Sequence, residues 1–269
     1  MCIGCESGER GYLLNGTKQI PQDIQGLCQS LLQGLKEILA DKLYGVYLYG
    51  ALAFPEAGPT GDIDFHVILT KPLTRREKSG LVDLHASLAR DFPPLGAELD
   101  GYYLLLRDAR QTAPPPHQLL AGVKDNSWAL HRAHIRAGRC IPLHGPDPKE
   151  IYPPAEWPEL ADALQGELDY VARHLVVYPA YCVLNLCRLM VSYAIQDVVI
   201  SKRASAEWAA AAFVEWSPLI AAATRSYARQ ATSVDQEWLA TRVTDFFDFA
   251  RHHIGDSQRK LTKNDESER

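Results

Sequence analysis

The chain has 269 residues, 46% of them hydrophobic and 23% charged, with a formal net charge of −5. This is the balance of a globular protein of one large or two ordinary domains, not of a disordered or fibrous chain. The acidic sign argues against a protein built to grip nucleic acid, and no apolar run reaches the roughly 18–20 residues that span a bilayer.

Residues 1–19 show no period and no signal-peptide pattern, and read as a loose arm. Cys2, Cys5, Cys28, Cys140, Cys182 and Cys187 follow no framework spacing, so reduced thiols and a cytoplasmic address are expected. Cys2 and Cys5 have no second pair to complete a tetrahedral zinc site. From "PQDIQGLCQSLLQGLKEILADKL" onward, apolar residues at 24, 27, 31, 35 and 38 predict a helix. "YGVYLYG" (44–50) predicts a strand, and "DIDFHVIL" (62–69) a second, joined by a loop rich in Gly and Pro. "TRREKSGLVDLHASLARDF" predicts an amphipathic helix and "AELDGYYLLL" (97–106) a third strand. "DNSWALHRAHIRAGR" reads as a helix ending at Gly138; its two histidines, His131 and His134, are read as structural. The proline-rich "IPLHGPDPKEIYPPAEWP" is the expected domain boundary.

Beyond it "ELADALQGELDYVARHL", "AYCVLNLCRLMVSYAIQDVVI", "ASAEWAAAAFVEWSPLIAAATRSYARQ" and "VDQEWLATRVTDFFDFARHHI" each predict a helix, together a bundle. The fold class expected is α+β: a mixed sheet with helices over 1–150 and an all-helical domain over 151–256. The polar end, 257–269, is expected to be disordered.

The second strand opens with Asp62 and Asp64, an odd start for an apolar strand. Alternation puts both side chains on one face, about 6.5–7 Å apart along the backbone. Carboxylates held so close resist burial unless a cation compensates them. Mg²⁺ does this with one or two carboxylates plus phosphate oxygens. One of Glu98 and Asp100, again spaced by two on the third strand, can complete a three-carboxylate site for phosphoryl or nucleotidyl transfer.

Gly50-Ala51, ten residues and Asp62-Ile63-Asp64 resemble the signature of polymerase-β-like nucleotidyltransferases, usually Gly-Ser, a spacer and Asp-x-Asp. "VLNLCRLMVSYAIQDVVISKRASAEWA" (183–209) resembles the helical domain of aminoglycoside adenylyltransferases of the streptomycin/spectinomycin type. The resemblance runs over most of 40–230 and implies transfer of AMP from ATP to a hydroxyl of an aminoglycoside or aminocyclitol antibiotic. It implies that Asp62 and Asp64 bind Mg²⁺, two ions in all, and that Asp100 is the general base with Glu98 the fallback. It implies that Gly50 and Ala51 form the nucleotide turn, that Arg188 and Lys202 clamp the triphosphate, and that Tyr227 lies near the nucleotide. Taken alone, Arg188 reads more readily as a helix-surface ion pair and Lys202 as a solvated loop charge.

The expected partner is a small, cationic, hydroxylated substrate, the chain itself being expected to be a monomer, with no nucleic acid and no membrane. Two departures from the pattern matter. Ala51 replaces the usual Ser, removing a hydrogen bond worth on the order of 1 kcal/mol and leaving open a silent nucleotide-binding relative. "HLVVYPAY" lacks the Trp and Asp of streptomycin-modifying members, so spectinomycin or another hydroxylated amine is favoured. A nucleotidyltransferase with a non-antibiotic acceptor also remains open.

Overall fold

The computed structural model describes residues 20–54 and 62–267, with side chains through 260. The arm with Cys2 and Cys5, and most of the loop between the first two strands, lie outside the described residues. The apolar stripe of α1 (Gln25–Leu39) buries Leu27, Leu31, Leu35 and Leu39. β1 (Leu43–Leu48) follows, then a tight 3-10 turn (Gly50–Ala53) and β2 (Ile63–Leu69). α2 (Arg75–Asp91) starts at a capping box in which Thr74 and Glu77 satisfy each other's backbone amides. β3 (Leu99–Leu105) and a single turn, α3 (Leu106–Ala109), lead to α4 (Trp128–Arg136) and β4 (Ile141–His144).

The strands form a mixed sheet in the order β3-β2-β1-β4, with β2 and β3 parallel and the other pairs antiparallel. β4 lies inside the proline-rich stretch expected to be only a domain boundary. It is an edge strand, where Pro142 can sit without an N–H because one side of the strand is unpaired.

Alternation along β2 sorts chemistry by face. Ile63, Phe65, Val67 and Leu69 join the aliphatic core beneath α1 and α2. Asp62, Asp64 and His66 point to the opposite face, where Tyr47, Tyr49, Trp128 and Tyr152 form a separate aromatic core. Beyond the sheet come α5 (Trp157–His174), α6 (Pro179–Ile195), α7 (Lys202–Ala212), α8 (Ser217–Tyr227) and α9 (Ser233–Ser267).

Two sequence expectations need correction here. The stretch 204–230, read as one helix, breaks at Phe213 and restarts at Ser217 with Pro218 in its first turn, a position that suits a residue lacking an N–H. The end expected to be disordered continues α9 to Ser267. Its Gln, Arg and Lys residues are good helix formers, and the Asp256–Arg259 pair supports the turn before them. α4 contributes Ala129 and Leu130 to the core of the helical bundle and Trp128 and Ile135 to the aromatic core of the sheet.

Within the sheet, Gly101 stands opposite Phe65, whose ring occupies the space a Cβ would need. Gly101→Ala should therefore lower stability by about 1–3 kcal/mol through overpacking. Gly166→Ala, in α5 with open space around it, should raise stability by up to about 1 kcal/mol. Urea unfolding midpoints of the two variants check both signs.

Candidate active site

Asp64 sits between a turn and a strand that both press on it. The turn is reached through Tyr49, whose N–H donates to the Asp64 carbonyl at 2.9 Å. Gly50 then takes a φ of +70°, and a Cβ there would collide with Asp64 Oδ2. Glycine is needed twice over, for the left-handed backbone and for the close approach to the carboxylate. On the other side, the parallel register sets Asp100 directly beside Asp64. Asp62 and Asp100 are exposed while Asp64 is half-buried.

Burial is the main reason that the Asp64 carboxyl rises from its ordinary 3.8 to about 6. His131 opposes the rise, whereas Asp100 and Asp62 add to it by repulsion. Tyr49 and Tyr102, around the same pocket, have hydroxyls held above their usual range, first by burial and then by the carboxylates of Asp125, Asp64 and Asp100.

Positive charge arrives from the helical bundle. Lys202 opens α7, just after the N-cap Ser201, and its ammonium lies 3.2 Å from the Tyr227 hydroxyl. It also stands over the rings of Tyr227 and Tyr181 at 4.7 and 4.9 Å, a desolvated cation–π setting. Burial first, then Arg188, lowers the Lys202 ammonium to about 8, while Asp64 and Asp62 pull it back up. Arg188 donates to Asn185 Oδ1 at 2.8 Å and lies 4.0 Å from Glu167. Glu167 in turn accepts from Asn185 Nδ2 at 3.0 Å and from the Ser127 hydroxyl at 2.7 Å, tying α5, α6 and the entry to α4 together.

The structure thus brings Gly50, Asp62, Asp64, Asp100, Arg188, Lys202 and Tyr227 near one another where the sheet meets the helical bundle. Ala51 lies exposed in the turn beside them, presenting only its backbone and a methyl group. Glu98 is the exception to the expected pairing of carboxylates. It belongs to a 3-10 turn (Leu95–Glu98) before β3, because Pro93, Pro94 and Gly96 bend the chain there, and its carboxylate lies 4.0 Å from Arg229. The expected shared strand face for Glu98 and Asp100 is not formed.

Glu167, Asn185 and Tyr181 were not singled out from sequence, although Asn185 carried a signal. It is a fully buried amide in a mostly apolar helix, which must serve another polar group.

With Asp64 at about 6 in the fold and near 3.8 when exposed, the folded chain binds the extra proton between those values. Stability therefore falls as pH rises from about 4 to 6. Asp64→Asn removes that loss. In metal-free buffer the variant should be more stable than wild type at pH 8, by up to about 3 kcal/mol, and the gain should vanish near pH 4. Paired melts across that range test the sign.

Residues 150–253 match the family model described as aminoglycoside adenylyltransferase, C-terminal domain. The whole fold is similar to that of a spectinomycin adenyltransferase, AAD(9), from Enterococcus faecialis, solved with ATP and spectinomycin. The TM-score is 0.70 at 16% sequence identity, over 86% of this chain and 98% of the other. Residues 150–253 thus match the aminoglycoside adenylyltransferase C-terminal domain family, within a chain whose fold is that of the similar spectinomycin adenyltransferase structure.

Proposed function

We propose that the chain transfers AMP from MgATP to a hydroxyl of an aminocyclitol antibiotic of the spectinomycin class. The observation that carries this reading is the meeting of Asp64 and Asp100 on adjacent strands with Lys202 and Arg188 from the bundle. The family match and the ATP and spectinomycin of the similar structure agree with it. The carboxylates fit a divalent cation. Asp64 is half-buried beside two like charges, and the turn that meets it has no Cβ to fill the space against the carboxylate.

Asp62 and Asp64 would hold Mg²⁺, which when bound neutralises triphosphate oxygens and holds them for in-line attack. Lys202 and Arg188 offer the pyrophosphate two cations already fixed by Tyr227, Asn185 and Glu167. Binding the triphosphate there returns Lys202 toward its ordinary, fully charged state. Asp100, exposed at the open end of the ladder, takes the proton of the acceptor hydroxyl. That oxygen bonds to the α-phosphorus as the bond to the pyrophosphate oxygen breaks. A cationic acceptor suits a cleft whose acceptor side carries the exposed carboxylate of Asp100. The loop 175–178, with Val176, Val177 and Tyr178 exposed, has no acidic residue of its own to hold streptomycin's guanidino groups.

Pyrophosphate release measured with MgATP and an antibiotic panel tests this reading. Release should depend on spectinomycin or a related aminocyclitol and not on streptomycin. Asp100→Asn should lower kcat by about 10²–10⁴ with little change in nucleotide affinity. Glu98→Gln should leave kcat within a few-fold. Lys202→Met should raise KM for ATP. Nucleotide binding without release on any antibiotic would sink the drug-modifying reading.

A further inference from the structure

His66 occupies the next same-face rung of β2 after Asp62 and Asp64, and it is fully buried. Its Nδ1 lies 3.2 Å from the hydroxyl of Tyr152, itself fully buried. Among the described residues its Nε2 has no hydrogen-bond partner, and it faces Asp125 Oδ2 at 3.6 Å, too far for a hydrogen bond. Asp125 is 1% exposed, and the same Oδ2 lies 2.8 Å from Nδ1 of His131, at the first turn of α4. One donor atom from each of the three residues falls within a 4.8 Å group.

A proton between Asp125 and His131 satisfies that pair and leaves the His66 nitrogen orphaned, at the cost that any buried unpaired polar group carries. A single divalent ion satisfies all three. Ligands at zinc distances of about 2.0–2.2 Å stand roughly 3.3–3.5 Å apart in a tetrahedral site, close to the 3.6 Å between His66 and Asp125. The Tyr152 hydroxyl is placed as the outer partner that ligating imidazoles usually have on their second nitrogen.

We propose that His66, Asp125 and His131 form a binding site for a zinc-class transition metal, separate from the carboxylates that face the nucleotide. Two imidazoles and one carboxylate suit zinc, and disfavour magnesium, which takes oxygen ligands. His131, at 23% side-chain exposure, gives the ion its way in and leaves a fourth position toward the cleft. The bound ion ties β2 to α4 and to the loop before it, directly behind Asp64.

The full chain, stripped with a chelator, is dialysed against zinc with Mg²⁺ in large excess, and bound zinc is counted by elemental analysis. One zinc per chain is expected, with a raised melting temperature. His131→Ala and Asp125→Asn, checked for fold by circular dichroism, should each weaken zinc binding at least tenfold, whereas Asp64→Asn should retain it. X-ray absorption at the zinc edge of the wild-type chain, which needs no variant, should show two imidazole ligands. No retained zinc, an all-oxygen ligand shell, or loss of zinc in Asp64→Asn but not in His131→Ala would each overturn the assignment. Neither readout uses ATP or an antibiotic, so the result is independent of the catalytic reading.

Discussion

A half-buried carboxylate with two like-charged neighbours is the constraint around which the rest of this molecule is arranged. Asp64 cannot be neutralised within its own strand, because β2 offers only Asp62 on one side and an imidazole on the other. The adjacent strand makes matters worse by presenting Asp100. Compensation has to come from outside the sheet, and it comes from two places: His131 on α4, and Lys202 on the bundle. An arrangement that places unbalanced charge on both sides of a cleft stores its attraction for a ligand that carries the missing charges. A metal-bound triphosphate has that character.

The two faces of the sheet explain how such a site survives folding. The face beneath α1 and α2 is aliphatic and carries the hydrophobic stabilisation of the N-terminal half. The other face is freed for tyrosines, histidines and aspartates, several of whose polar atoms pair with one another, as between His131 and Asp125, while the His66 Nε2 finds no partner among the described residues. Aromatic rings there exclude water without removing hydrogen-bonding capacity, which strengthens the interactions among the charges they surround.

Much of the site could be read from spacing. Period-two alternation is enough to put Asp62 and Asp64 together, and a strand starting near Leu99 is enough to offer Asp100 as their neighbour. What alternation cannot supply is where a strand begins. Glu98 was assigned to the ladder, but prolines and a glycine just upstream hold it in a turn. The bundle's helices were legible from apolar stripes, whereas the break after Ala212 was hidden by alanines that favour a helix on either side of it. β4 escaped notice because four residues containing a proline leave no alternation to count, and only its partner β1 makes it a strand. The network of Glu167, Asn185 and Arg188 depends on which faces of α5 and α6 meet, a tertiary fact with no local pattern.

α4 has a bearing on how proteins of this shape can evolve. The matched family domain begins at residue 150, yet α4, which precedes it, already lends Ala129 and Leu130 to the bundle's core and anchors His134 to the Val198 carbonyl at 2.7 Å. The covalent seam and the packing seam therefore do not coincide. A recombination event that cut at the proline-rich stretch would leave one product with a hole in its core and the other with a bare apolar helix face. The two halves are bound to diversify as a pair, not by exchange of whole domains.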